Sequence, residues 1–298
     1  MELNLSFQQL LDLVSHAGNP IAKTILPVIL LAVFAEILVI YLRGGRYPWR
    51  DTAVSAGVAI GHLITQAAVQ GLIVGVIAAT VYHYRLFTID VGLDSGGLDH
   101  WPALIALFFL ADFAFYWEHR CAHEIRFMWA SHSVHHTVER LVLLAAARLA
   151  WTPLISCVFL FYLPLVWLGF SPVAVFGMAS ASLTYQIFVH TEVVPRIGWL
   201  EWVINTPSAH RVHHASNEQY LDKNYGGVLL IWDHLFGTYQ AERKDISIKF
   251  GLVHARSRPH NVVIIAYQEF GQIIRDVARA KSWRERWGRV FGRPGWAP

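Results

Sequence analysis

Cys121 and Cys157 are the only cysteines in the chain, too few for a disulfide framework or a cysteine-rich zinc motif. Charge is scarce too: 15% of residues are charged against 55% hydrophobic, which excludes an ordinary soluble domain of this length. The H-E-x-x-H pair of a zinc protease is missing, because His123-Glu124 is followed by Ile125, Arg126 and Phe127. There is no G-x-S-x-G nucleophile turn, no glycine-rich phosphate loop and no internal repeat of fixed period. Nor is there a cysteine set for an iron–sulfur centre, or a recognisable haem or flavin module. The N-terminus lacks a basic segment followed by an apolar core and a small-residue cleavage site, so no removable signal peptide is expected.

What the chain has is grease. Apolar stretches run over Ile25 to Leu42, Ala53 to Val81, Trp101 to Trp117 and Thr152 to Val189, the last long enough for two passes around Gly169 and Pro172. The expected fold is all-α: one integral membrane domain, 1–298, of four to five spans or helical hairpins. Arg43, Arg46 and Arg50 follow the first stretch, whereas the loop from Leu86 to His100 carries Asp90, Asp94 and Asp99 and no basic residue. The positive-inside bias therefore makes the first loop cytoplasmic. Residues 241–298 hold twelve Lys or Arg against five Asp or Glu, so residues 240–298 read as a basic cytoplasmic tail. The alternation of aromatic and basic residues from Trp283 to Trp287 reads as an amphipathic helix at an anionic bilayer surface, which argues against a nucleic-acid partner.

Histidine is the conspicuous residue. Nine of sixteen fall in tight groups: His119-x3-His123, His132-x2-His135-His136, a single His190, and His210-x2-His213-His214. Helical spacings of three and four residues aim imidazoles to one side, and imidazole binds mid-row transition metals without adding charge. Threading the spans through the orientation above puts all nine on the cytoplasmic face, as a helical cap over the bilayer. His62 falls inside a span, and His16, His83 and His100 fall near the opposite side or in terminal segments, while His254 and His260 are isolated. None of these is expected to be a ligand; His234 is assigned to neither class.

Four ligands saturate a zinc ion, so nine clustered imidazoles imply at least two metals. Hydrolytic two-metal sites normally carry bridging carboxylates, and here Glu118, Glu124, Glu139 and Glu192 interleave the boxes only sparsely. Imidazole richness favours iron, and iron favours oxygen chemistry. A membrane-borne substrate is typically an unactivated acyl or alkyl chain, whose C–H bonds activated dioxygen can attack.

The order H-x3-H, H-x2-H-H, H-x2-H-H after apolar spans resembles the fatty acid hydroxylase and sterol desaturase superfamily of integral membrane di-iron enzymes. Asn205 to His214, Asp222 to Gly227 and Trp232 to Thr238 are similar to its alkylglycerol monooxygenase-like and bacterial sterol-desaturase-like branch. The resemblance covers a catalytic region of about 112–239. It implies that His119, His123, His132, His135, His136, His210, His213 and His214 bind two irons, with His190 as an extra ligand. The position before the last box, often histidine in that family, is Ala209 here.

Asp112 lies seven residues before His119 on one helical face and is expected to hold a ligand imidazole by its second nitrogen. Glu139 and Asn217, each three residues after a box, are expected in the same supporting role. Tyr225-Gly226-Gly227 and Phe236-Gly237-Thr238 read as tight turns that bring the C-terminal segment against the metal bundle. The activity implied is O2-dependent oxidation of a membrane lipid, sterol or fatty chain, by hydroxylation or desaturation, in a bacterial inner membrane or the endoplasmic reticulum. An external electron donor is required: a ferredoxin, a cytochrome or a pterin. A metal transporter would need more polar residues within its spans than His62, Gln66, Gln70, Asp112 and Gln186, and a metal-dependent membrane hydrolase would work without oxygen or reductant.

Overall fold

The computed structural model describes residues 7–66, 70–92, 100–253 and 260–298, with the side chains of residues 7–23 left aside. His16 and His254, neither expected to be a ligand, lie outside the described side chains. Two compact units form, Met1–Tyr47 and Pro48–Pro298. The first is one long helix, α1 (Phe7–Leu42), of 36 residues. Its apolar part, Thr24–Leu42, holds 19 residues and rises about 28 Å at 1.5 Å per residue, close to the thickness of a bilayer core.

The second unit is a helical assembly without a named strand among the described residues. It comprises α2 (Trp49–Thr65), α3 (Gly71–His83), α4 (Trp101–Glu124), α5 (Arg126–His132), α6 (Leu163–Leu168), α7 (Pro172–Val189), α8 (Pro207–His213), α9 (Ile231–Phe236), α10 (Val262–Arg279) and α11 (Trp283–Phe291). Apolar burial gathers α4, α6 and α7 around Leu107, Ala114, Leu165, Val166, Ala174 and Val175. The α10 and α11 helices pack against α5, so the basic tail forms two helices against the histidine-bearing region.

Among the described residues three helical segments are long and apolar enough to cross a membrane: Thr24–Leu42, Trp101–Glu124 and Pro172–Val189. The expectation is four to five spans or helical hairpins; beside the three long segments stand two shorter apolar stretches, Gly71–His83 and Val158–Leu168, and the division of the apolar tracts has local causes. The stretch 53–81 is two helices, α2 and α3, rather than one. In the tract 152–189 only the second half is one long helix. Its first half is a run of turns, a short 3-10 segment and the six-residue α6, because Pro153 and Pro164 supply no N–H to a helix interior and Cys157 takes a left-handed conformation at φ 59°. Gly169, at φ 136°, then turns the chain into α7, whose start is capped by Ser171 accepting from Ala174 N.

Candidate metal centre

Four segments bring the nine clustered histidines together. The last two turns of α4 carry His119 and His123, and α5 ends at His132 and runs into a 3-10 turn bearing His135 and His136. His190 caps the C-terminus of α7. At α8 the Thr206 hydroxyl accepts from Ala209 N at 3.3 Å and Pro207 stands in the first turn, a start sequence that suits a helix; one short helix then presents His210, His213 and His214.

The rings sort into two groups. His119, His123, His132, His136 and His213 form one; His135, His190, His210 and His214 form the other, and within each group the candidate ligand atoms lie within 4.8 Å of one another. Nε2 faces Nε2 at 3.0 Å between His119 and His132 and at 3.1 Å between His132 and His136. The second group repeats this at 3.0 Å for His190 with His135, His210 with His190, and His214 with His210. Two nitrogens each about 2.1 Å from one ion are about 3.0 Å apart when they subtend a right angle, and about 3.4 Å apart in a tetrahedron. The observed edges fall close to this range, so each group could close on one ion.

Hydrogen bonds decide what those nitrogens carry. The Nδ1 of His190 bonds Gln186 O at 2.5 Å, that of His119 Tyr225 O at 2.8 Å, that of His213 Lys223 O at 3.1 Å, and that of His135 Arg148 O at 3.3 Å. A carbonyl only accepts, so each of these Nδ1 atoms carries the ring's hydrogen. Burial lowers the His190 pKa to about 4. It holds His132, His135, His136, His210, His213 and His214 well below the usual imidazole value, with repulsion among the rings adding to the shift. Neutral rings have one N–H each, so His135 and His190 face each other with bare lone pairs. The buried Nε2 atoms of His123 and His213 likewise lack any hydrogen-bond partner. Converging unpaired lone pairs in a buried place suit a cation and little else, and an all-imidazole donor set fits iron.

The expected supporting residues turn out differently. Asp112 does not reach an imidazole: its carboxylate accepts from Val228 N at 2.9 Å, Leu229 N at 3.2 Å and Trp232 Nε1 at 2.9 Å. Glu139 is exposed, and its backbone N–H donates to Asp51 Oδ2 at 3.4 Å. Asn217 donates to Ser247 O at 3.0 Å and accepts from Lys249 N at 2.8 Å, latching the loop before α10 instead of a ligand. Helical spacing would aim Glu139 and Asn217 only if the helix before each continued in line, and Val138 and Asn217 are extended instead; Asp112 shares α4 with His119 but turns to the donors of the 228–232 segment.

The groups that do hold the rings are mostly backbone carbonyls, which have no residue signature. Asp233 accepts from Tyr225 N at 2.7 Å, Gly226 N at 2.8 Å and Thr238 Oγ1 at 2.7 Å, and burial raises its pKa to about 6. Asn224, buried at φ 56°, donates to Ala209 O and Gln240 O, in a left-handed conformation that asparagine tolerates. Asp222 Oδ1 lies 3.8 Å from His123 Nδ1. Arg148 is fully buried; its guanidinium pairs with Asp51 and donates to Ser55 and Thr137 hydroxyls, while its carbonyl accepts from His135. Gly226 and Gly227 are glycine for want of room: a Cβ would meet Leu229 O at 2.2 Å and Phe115 Cδ1 at 2.7 Å.

The other described histidines stay apart. His62 Nδ1 bonds Ala150 O at 2.6 Å, His83 packs on Tyr84 and His100 stands 3.5 Å from Asp90. His234 is stacked on Trp202 and packed against Tyr239. On one side of the centre a cavity of about 470 Å³ is bordered by His123, His136, His213 and His214 together with Arg126, Arg289 and Arg293. Arg126 is held there by Glu269 at 2.9 Å and Asp276 at 2.7 Å, tying α5 to α10.

Residues 104–238 match the model of the family described as fatty acid hydroxylase. The chain is 34% identical to the human alkylglycerol monooxygenase over 289 residues, covering 93% of this chain and 60% of that protein. It is 44% identical to the Danio rerio alkylglycerol monooxygenase over 144 residues, 48% of this chain and 31% of that one. It is 32% identical to the ornithine lipid hydroxylase OlsE of Rhizobium tropici over 158 residues, 52% of this chain and 47% of that protein. The chain thus spans 60% or less of the length of these relatives. No solved structure matches it.

Proposed function

Because the chain belongs to the fatty acid hydroxylase family through residues 104–238, we propose that it is an O2-dependent di-iron oxidase of a membrane lipid, acting by hydroxylation. The observation that carries this reading is the division of nine histidines into groups of five and four with converging Nε2 atoms. His119, His123, His132, His136 and His213 would hold one iron, and His135, His190, His210 and His214 the other. The pair would supply activation of dioxygen for attack on an unactivated C–H bond.

The protein's own contribution is placement. The carbonyls of Tyr225, Lys223, Gln186 and Arg148 fix which nitrogen of each ring is bare, and burial keeps those nitrogens unprotonated at neutral pH. Asp112 and Asp233 hold the loop that offers two of those carbonyls. The arginine-bordered cavity reaches four of the nine rings, and is the route by which an external electron donor, a ferredoxin, cytochrome or pterin, would approach. Lipid would enter from the bilayer, where the centre faces the cytoplasm. The relatives' names point to ether lipids and ornithine lipids as substrate classes.

Metal analysis of anaerobically purified protein, paired with the membrane lipids of cells with and without the gene, tests the reading. Two irons and a lipid that gains one oxygen are expected. Loss of two hydrogens would make the reaction a desaturation. Zinc alone with turnover independent of oxygen would replace the oxidase by a hydrolase, and metal flux in proteoliposomes would replace it by a transporter.

A further inference from the structure

One stripe of α2 is bonded along its length to a short segment that follows the second histidine box. Asp51, Ser55, Val58 and His62 succeed one another at spacings of four, three and four, which is one side of a helix. The Asp51 carboxylate pairs with the Arg148 guanidinium, and the Asp51 carbonyl accepts from the same group at 3.1 Å. The Ser55 hydroxyl accepts from Arg148 Nε at 3.0 Å. Trp151 Nε1 donates to the Val58 carbonyl at 2.8 Å, and His62 Nδ1 donates to the Ala150 carbonyl at 2.6 Å. Gln70, just before α3, adds a bond to Trp151 O at 2.8 Å. Residues 148–151 are thereby fixed to α2, a helix outside the family-matched region 104–238.

That segment in turn grips the chain where the two histidine groups part. Arg148 Nη1 donates to Thr137 Oγ1 at 3.0 Å, and Arg148 O accepts from His135 Nδ1 at 3.3 Å. The two contacts bracket His136. The turn between them is weak by itself: it is a 3-10 helix of three residues, closed by a Thr137 N to Val134 O bond of 3.3 Å, and 3-10 bonds are poorer than α-helical ones. Yet this turn must send His135 into the group of four and His136 into the group of five. Arg148 is fully buried, and a buried ion pair adds little stability over apolar packing. What it adds here is direction, because the planar guanidinium fork fits its acceptors in one arrangement.

We propose that Asp51 is a positioning residue of the metal centre: through Arg148 it holds the 135–137 turn so that neighbouring rings serve different ions. This rests on the two-metal reading above. Loss of the Asp51 carboxylate frees the guanidinium fork, and the turn that then relaxes carries one ligand of each group. Both sites weaken together.

The test is anaerobic titration of ferrous iron into the full-length, metal-free protein in nanodiscs, against a competing chelator, so that two affinities are read. The wild type is expected to take up two irons per chain. In Asp51→Ala both affinities should fall ~10-fold or more, and Asp51→Asn, which keeps an acceptor, should retain part of the affinity at both sites. Val175→Ala, at a fully buried position in the apolar core of α4, α6 and α7, controls for stability alone: it should lower the melting temperature and keep both affinities within about twofold. Wild-type affinity in Asp51→Ala overturns the proposal, as does a loss confined to one site. An equal loss in Val175→Ala at a comparable fall in melting temperature also overturns it. If Asp51→Ala does not accumulate, Asp51→Asn decides: weaker binding at both sites supports the proposal and unchanged binding sinks it. A wild type that takes up fewer than two irons refutes the two-metal reading and the brace with it, whereas two irons held equally well by wild type and Asp51→Ala refute the brace alone.

Discussion

Asp112 and His119 share one face of α4, and they meet only through the backbone of another segment. The carboxylate of Asp112 takes the N–H groups of Val228 and Leu229, and the carbonyl of Tyr225, three residues earlier in the same loop, takes the Nδ1–H of His119. An acid that seems placed to hold a ligand instead holds the strap that holds it. The arrangement makes ring orientation depend on loop closure, and several outcomes can be measured.

Asp112→Ala leaves one buried and two part-buried donors unmatched and loosens that loop. A loss of about 3 kcal/mol in stability is expected, with metal affinity down about 10- to 100-fold, read by thermal unfolding and by iron retained after chelator washing. Glu139→Gln and Asn217→Ala should retain iron within about twofold, because neither side chain touches a ring.

Substitution of one ring per group separates the two sites. His213→Ala should weaken the five-histidine site and His214→Ala the four-histidine site, each leaving about one iron per chain in place of two. Lipid oxidation should fall ~100-fold or more in both, while His100→Ala stays at the wild-type level. Equal loss of both metals in every variant would mean the groups are one cooperative site.

Gly226→Ala should fail to accumulate as folded protein, since its Cβ would meet the Leu229 carbonyl at 2.2 Å and no backbone can yield there without releasing the Asp233 contacts. Expression and size-exclusion profiles report it. A folded, fully loaded Gly226→Ala protein would show that the turn has more room than these contacts allow.

The metal-free protein should lose stability as acid is added. His190 is lowered by burial from the ordinary 6.5 to about 4. Between those values the unfolded chain takes up a proton that the folded chain refuses, so stability is complete above pH 6.5 and falls as pH drops toward 4. This ring alone accounts for about 3 kcal/mol at the acid end, and the six other lowered rings named above act in the same sense. Melting temperatures of chelator-treated protein from pH 7.5 to 4.5 should decline, and metal-loaded protein should hold its value further into acid, since a bound ion competes with the proton. A flat profile for the metal-free form would show that the rings are hydrated and not buried.

The histidine boxes, the apolar stretches and the turn glycines were legible from residue types because each is a local signal. Spacing of three and four is periodic along a helix, hydropathy sums over a window, and paired glycines mark a tight turn such as the crowded one at Gly226 and Gly227. The supporting residues were not legible for the opposite reason. Helical spacing points from the boxes to Asp112, Glu139 and Asn217, but the chain turns extended after the last two boxes, and Asp112 finds donors more than a hundred residues away. Arg148, Asn224 and Asp233 act through buried contacts that leave no pattern in the chain.

By itself the sequence determined an all-helical, apolar chain with nine imidazoles grouped for metal, because composition and period are properties of the chain alone. Tertiary structure alone decided that His135 joins His190, His210 and His214 while its neighbour His136 joins the other group. Adjacent residues point in different directions from a 3-10 turn, and which group each ring enters depends on where α7 and α8 pack.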